Sequence, residues 1–408
     1  MGTLKNAIVG QSGGPTAAIN SSLAGVIRGA ADAEQIGKVY GMINGIIGMM
    51  ERHIIDLDEL SHDDEKLRLL QKSPASYLGS CRFKLPKDDN SVYEKIFEIL
   101  EEYNIGYFFY IGGNDSMDTA AKLSAYAAEH DKDIKFVGVS KTIDNDLPEM
   151  DHTPGFGSAA KYIAATVREV GTDAGIYPSK SVEIIEVMGR DAGWLAGSSV
   201  LAGIGGVGPD LIYLPEREFD LDRMYSDISE KFKLKNHVLV VVSEGVRTSD
   251  GKYICDIVAS LIQDAFGHKQ LGGTAKILEG LIKQRFGCKV RGIELNTPQR
   301  CASHILSKTD IEESYKVGYT AVEAAVSGKT GVVIAIKRVS DNPYKVTYEA
   351  VDVNKVANEA RIVPDDYINE RGNFVTDKFI EYVKPLVEGE IMPDYENGIP
   401  KFLVLGVE

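Results

Sequence analysis

Residues 141–146 read Lys-Thr-Ile-Asp-Asn-Asp, two carboxylates two positions apart with an ammonium and a hydroxyl just upstream. Moving a phosphoryl group onto an alcohol needs a base beside the hydroxyl, cations on the phosphates and in-line placement. Asp144 and Asp146 can supply the base and its neighbour, and Lys141 a cation. The bland alternative is a solvated polar turn. A second polar turn is Gly112-Gly113-Asn114-Asp115-Ser116. Asn114 and Asp115 are hard oxygen donors of the kind that suit Mg²⁺, which usually takes one or two carboxylates plus substrate phosphates. Ser116 reads as the N-cap of the helix that follows. A third turn, Gln11-Ser12-Gly13-Gly14, has glycines where backbone N–H groups can approach an anion at a helix N-terminus. It is neither GxxxxGK[ST] nor GxGxxG, so neither nucleotide fingerprint applies.

Guanidinium groups are the usual bidentate partners of phosphate. Arg82 ends Gly79-Ser80-Cys81-Arg82, Arg190 ends Met188-Gly189-Arg190, and Arg291 and Arg300 bracket Asn296-Thr297-Pro298-Gln299. Glu244 adds a carboxylate just after an apolar run. Taken singly, each arginine is an ordinary surface cation.

Strands and helices must hold these groups in place. Short runs apolar on both faces, at 6–9, 106–111, 135–139, 182–187, 238–242 and 331–336, suit central strands of parallel sheets covered on both sides. Helical patterns lie between them, at 17–32, 91–103, 117–129, 158–170 and 312–326, so the chain reads as an α/β protein. The three polar turns each follow a strand and precede a helix. Ligands of open α/β sheets bind beyond the carboxyl ends of the strands, so the three turns predict one shared cleft. No internal repeat is visible, and the more polar, irregular residues after about 340 read as an extension packed on the core.

With 408 residues the chain is long enough for two domains, and 44% hydrophobic with 26% charged residues is a globular balance. A net charge of −15 argues against a generic nucleic-acid or membrane surface, both of which are anionic. No apolar run reaches the length of a membrane span, and the N-terminus reads as a strand, so a cytoplasmic location is expected. Cys81, Cys255, Cys288 and Cys301 are scattered with no CxxC pair, which points to reduced thiols.

In this order, the glycine turn, Gly-Ser-Xaa-Arg, Gly-Gly-Xaa-Xaa-Ser, Thr-Ile-Asp-Asn-Asp, Met-Gly-Arg, the glutamate and the Gln-Arg segment resemble the phosphofructokinase family, over residues 10 to about 300. The resemblance implies two Rossmann-like domains with mainly parallel sheets and helices on both faces. The first, 1–155 with part of 300–340, would bind the phosphoryl donor; the second, 156–299, would bind fructose 6-phosphate; 340–408 would be the C-terminal extension. It further implies that Asp144 removes the proton of the sugar's 1-hydroxyl, with Thr142, Ile143 and Asp146 beside it. Arg82 and Arg190 would steady the transferring phosphoryl group. Met188, Gly189, Arg190 and Glu244 would contact the sugar, and Arg291, Thr297 and Arg300 its 6-phosphate. Gly13, Gly14 and Ser116 would lie at the donor, and Asn114 with Asp115 would serve Mg²⁺. A homodimer or homotetramer is implied, with Arg291 a candidate to complete a neighbour's sugar site.

Members using ATP resemble Gly-Gly-Asp-Gly-Ser and Gly-Thr-Ile-Asp-Asn-Asp; pyrophosphate users have Asp for the later glycine and Lys for the glycine before Thr. This chain has Asp115 and Lys141 there. A carboxylate at 115 opposes an α-phosphate, and an ammonium at 141 can neutralise compact pyrophosphate and its leaving phosphate. Reversible, diphosphate-dependent phosphorylation of fructose 6-phosphate is therefore expected; an ATP-dependent enzyme and a silent sugar-phosphate-binding regulator are the alternatives. The chain departs from the family pattern at Asn114 (commonly Asp), Thr297 (His in many) and Ser181 (Arg in many ATP users), where Lys180 is a candidate substitute. Ala24 replaces an effector-site arginine while Arg28 remains, so activation by nucleoside diphosphates is expected to be weak or absent.

Overall fold

A computed structural model describes residues 4–87, 89–254, 256 and 273–406, which leaves Cys255 outside the described residues. Its strands in chain order are β1 (Lys5–Gln11), β2 (Ile36–Met42), β3 (Ile54–Asp56), β4 (Ile105–Gly112), β5 (Lys135–Ser140), β6 (Ser181–Val187), β7 (Leu211–Tyr213), β8 (His237–Ser243), β9 (Lys289–Glu294), β10 (Leu306–Ser307), β11 (Val332–Asp341) and β12 (Tyr344–Asp352), with shorter ones beyond. Among the described residues they form a seven-stranded sheet, β12-β11-β5-β4-β1-β2-β3, and a four-stranded one, β7-β8-β6-β9. The second sheet is parallel throughout; in the first, only the edge pairs β2–β3 and β11–β12 run antiparallel.

Alternation along each strand explains the two helix layers. Ala7 and Val9 of β1 pack with Leu23, Val26 and Ile27 of the helix Ile19–Asp32 and with Val317 and Ala321 of the helix Lys308–Val326. Ile8, on the other face, joins Phe108, Phe136 and the buried stripe Ile96, Phe97 and Leu100 of the helix Asn90–Glu102. The second sheet repeats the scheme. Ile185 and Val241 face Ile163 and Val167 of the helix Phe156–Ala174, whereas Ile184 and Val240 face Met224, Ile228, Leu278 and Ile282.

Strand ends are level, which positions the turns. Gln11 is opposite Ile111 and Gly112 opposite Ser140, so the turns after β1, β4 and β5 leave one sheet edge side by side. The N–H of Ser12 donates to Ile111 O (2.9 Å) and that of Lys141 to Gly112 O (3.0 Å). In the second sheet Val187 is opposite Ser243, so Met188 and Glu244 emerge together. No described helix is long and apolar enough to cross a membrane.

The segment after 340 is more regular than its composition suggests. β12 alternates half-buried and exposed residues as an edge strand does, and Phe379, Tyr382 and Val383 of the helix Asp377–Val383 are buried against Trp194 in the second sheet's core.

Candidate active site

Gly13 has φ +75°, a left-handed conformation that favours glycine. Its N–H donates to Cys81 O (3.2 Å) and its carbonyl accepts from Ser80 Oγ (2.7 Å), tying the first turn to the loop that carries Arg82. Lys141 runs beneath both glycines. It is 2% exposed, and its Nζ donates to Gly14 O. Arg300 arrives from the other sheet: a Cβ added to Gly14 would sit 3.4 Å from Arg300 Nη1. Asp144 follows on the same turn as Lys141, its N–H donating to Thr142 Oγ1 (3.1 Å) and its Oδ2 3.5 Å from that hydroxyl.

Across the cleft, Glu244 N–H donates to Val187 O (2.9 Å), and its carboxylate accepts from Gly189 N–H (3.4 Å). Met188 N–H donates to Gln299 Oε1 (3.1 Å), which fixes the segment bearing Arg300. Charges from both sheets thus share one field. Burial pushes the Lys141 ammonium down to about 8; Arg300 and Arg82 add repulsion, and Asp144 and Asp146 oppose the fall. Burial pushes Asp144 up, with Lys141, the Thr142 hydroxyl and Arg300 holding it back. Asp146 is pushed up to about 6 by burial and by the charge of Asp144. Glu244 is raised by burial and by Asp144, with Arg190 and Arg300 opposing.

Several expected residues sit differently. Gly113, not Ser116, is the N-cap of the helix Asn114–Glu129; Ser116 lies inside its first turn, buried beneath Gly112. Asp115 is exposed and ion-paired with Lys84 (2.9 Å). Ile143 is a core side chain, 5% exposed, so only its backbone is free to meet a ligand. Arg82, Arg190 and Thr297 are exposed around the cleft; Thr297 O accepts the Arg300 N–H (2.9 Å) and so supports the turn that aims Arg300. Arg291 is not brought in. It lies opposite Glu183, four residues before the end of β6, with its guanidinium 3.9 Å from Asp173. Lys180 is not brought in either: it precedes β6, at the same end of the sheet, with its ammonium 5.0 Å from the Phe232 ring centre. Ala24 is fully buried, and Arg28 is paired with Asp64.

Three contributors had no motif to announce them. Asp191, next to Arg190, raises Asp144 and Asp146 through its charge. Arg361 and Tyr382 reach the acidic turn from the C-terminal segment; nothing in their local sequence marks them.

The family model described as phosphofructokinase matches residues 6–293, which contain every turn just described except that of Arg300. The chain belongs to the phosphofructokinase family. Within that family it is 43% identical over 402 residues to the pyrophosphate–fructose 6-phosphate 1-phosphotransferase of Halomonas elongata, covering 97% of this chain and 95% of the relative. The enzyme of the same name from Methylococcus capsulatus is 39% identical over 413 residues, covering 98% and 96%. The crystal structure of a pyrophosphate-dependent phosphofructokinase from Nitrosospira multiformis superposes with a TM-score of 0.89 at 38% identity, covering 98% of this chain and 96% of that one.

Proposed function

We propose that this phosphofructokinase transfers a phosphoryl group from pyrophosphate to the 1-hydroxyl of fructose 6-phosphate, giving fructose 1,6-bisphosphate and phosphate. The observation that carries the reading is Lys141, a buried ammonium bonded to the glycine turn and set between two carboxylates and two guanidiniums. Full-length relatives with the corresponding name support it. Asp144 accepts the hydroxyl proton as the sugar oxygen forms its bond to phosphorus. The bridging P–O bond breaks, and Lys141 and Arg300 neutralise the departing phosphate. Thr142 orients Asp144; Met188, Gly189, Arg190 and Glu244 hold the sugar, and Arg82 and Arg190 the phosphoryl group. Arg300, which lies against Gly14, spans donor and sugar phosphate rather than serving the 6-phosphate alone. The first sheet, which β12 completes, serves as the donor unit and the second as the sugar unit, and the segment after β12 packs on both.

Mg²⁺ fits the site as a companion of the substrate. Asn114 Nδ2 donates to Glu359 O (2.7 Å), which leaves Asn114 Oδ1 buried without a hydrogen-bond partner among the described residues. No cluster of three acidic, His or Cys side chains forms a cage among the described residues. Asn114 and Asp115 would hold the ion together with the phosphates, where it would screen their charge. The location is cytoplasmic, and the chain binds neither nucleic acid nor membrane. The enzyme is a symmetric oligomer, for which the exposed Ile176, Tyr177 and Leu234 beside Arg291's end of the second sheet provide an apolar surface.

Initial rates at equal Mg²⁺ test the donor. Pyrophosphate should exceed ATP by about 100-fold or more, and Asp115→Gly with Lys141→Gly should abolish most of that rate and admit ATP weakly. A preference of the native enzyme for ATP overturns the donor assignment.

A further inference from the structure

The acidic turn is held from behind. Asn145, between the two aspartates, is fully buried with φ +57°, a left-handed backbone that asparagine adopts more readily than most residues other than glycine. Its Oδ1 accepts Thr153 N–H (3.0 Å), and its Nδ2 donates to Tyr382 Oη (2.9 Å). Arg361 closes the rest of the loop. Its guanidinium donates to Asn145 O (3.2 Å from Nη2), to Met150 O (3.0 Å from Nη1) and to Asp151 O, while its backbone N–H donates to Asp146 O (2.7 Å). Nη2 also donates to Tyr382 Oη (3.1 Å), and that hydroxyl donates to Asp151 O (2.8 Å). The far face of Arg361 lies 4.3 Å from the ring centre of Trp194, whose indole N–H donates to Arg361 O (3.1 Å). One guanidinium therefore joins the carbonyls at both ends of residues 145–151, from more than two hundred residues along the chain.

We propose that Arg361 and Tyr382 are positioning residues for the transfer reaction: they lock the left-handed Asn145 and thereby hold the Asp144 carboxylate where it meets the sugar hydroxyl. The inference rests on the reading of Asp144 as the base. Both act through the turn, bonded to Asn145 and to the carbonyls of residues 145–151. Their effect is confined to the chemical step, because the glycine turn, Lys141 and the Met188–Arg190 segment that bind the substrates are held by other contacts. A base displaced by about 1 Å costs on the order of 100-fold in rate.

The experiment measures kcat and KM for pyrophosphate and fructose 6-phosphate in Arg361→Met, Arg361→Lys, Tyr382→Phe and Asp144→Asn. Arg361→Met should lower kcat by about 10- to 100-fold with both KM values within about threefold, and Arg361→Lys should recover part of the loss. Tyr382→Phe keeps the ring that packs against Trp194 and Phe379, so it stays folded even if Arg361→Met does not; it should lose about three- to tenfold in kcat. Unchanged kcat in Tyr382→Phe together with unchanged or unmeasurable Arg361→Met overturns the proposal. So does a loss confined to KM. Asp144→Asn separates the two readings: if it still turns over, the base assignment fails; if it is inactive while the Arg361 and Tyr382 variants keep native kcat, only the positioning role fails.

Discussion

Lys141 must be charged to neutralise pyrophosphate, yet it is buried and pushed down to about 8. Asp144 and Asp146 must be ionised for one of them to accept a proton, yet burial raises both, Asp146 to about 6. The two requirements bound a window. As pH rises through about 6 Asp146 ionises, and activity appears once Asp144, also raised by burial, is ionised; as pH rises through about 8 the free enzyme loses the ammonium and activity falls. The limbs belong to the coupled cluster rather than to single residues. A profile of kcat/KM for pyrophosphate should accordingly be bell-shaped, and Lys141→Arg, which stays charged, should carry the alkaline limb upward. Losing the Lys141 proton does not itself unfold the protein. Between about 8 and the ordinary lysine value the unfolded chain binds more protons at this position than the folded one, so its contribution to stability improves as pH rises. Unfolding curves at pH 7 and 9 would separate the two; an alkaline limb that Lys141→Arg leaves in place removes Lys141 from the account.

The helices Ile19–Asp32 and Lys308–Val326 approach through two glycines. A Cβ on Gly25 would lie 2.1 Å from Tyr315 O, and one on Gly318 would lie 2.0 Å from Ser22 O. Backbone atoms cannot yield as side chains do, so the helices would have to part. Gly25→Ala should therefore cost about 1–3 kcal/mol, seen as a lower denaturant midpoint, with kcat within about twofold where both proteins are folded. An unchanged midpoint would mean that the helix pair adjusts at no cost. At this scale the sequence was informative where a signal is local. Uninterrupted apolar runs such as β4, buried along nearly all its length, announced the central strands, and the polar turns after three of them announced the cleft edge. Where the deciding contact is distant, the signal was absent. Gly25 and Gly318 lie within helical patterns, and no neighbouring residue marks the close approach they allow. Ser116 looked like a cap because nothing local showed that the helix starts at Asn114. Arg361 gave no sign of the loop it closes, since its partners are carbonyls, which any residue possesses.

Arg291 poses its question at the scale of the assembly. Within one chain it lies about 13 Å of strand short of the edge that carries Met188 and Glu244, half-exposed and facing Asp173. The same end of the second sheet exposes Ile176, Tyr177 and Leu234, and Lys289 lies 4.7 Å from the Tyr177 ring centre. An apolar surface rimmed by cations is a natural contact between copies, and a twofold contact gives each chain's arginine to the other's site. Complementation decides it. Arg291→Ser and Asp144→Ser proteins should each be nearly inactive. Unfolded together and refolded as a mixture, they form hybrids in which the Arg291→Ser chain keeps its own Asp144 and receives its neighbour's Arg291. For random dimers half the molecules are hybrids with one intact site of two, so roughly a quarter of native activity should return. If Arg291 served its own chain, every site in the hybrid would lack either the base or the arginine, and mixing would restore nothing. Recovery near a quarter, with the separately refolded controls inactive, would place a sugar-phosphate contact across the interface and make the oligomer the catalytic unit.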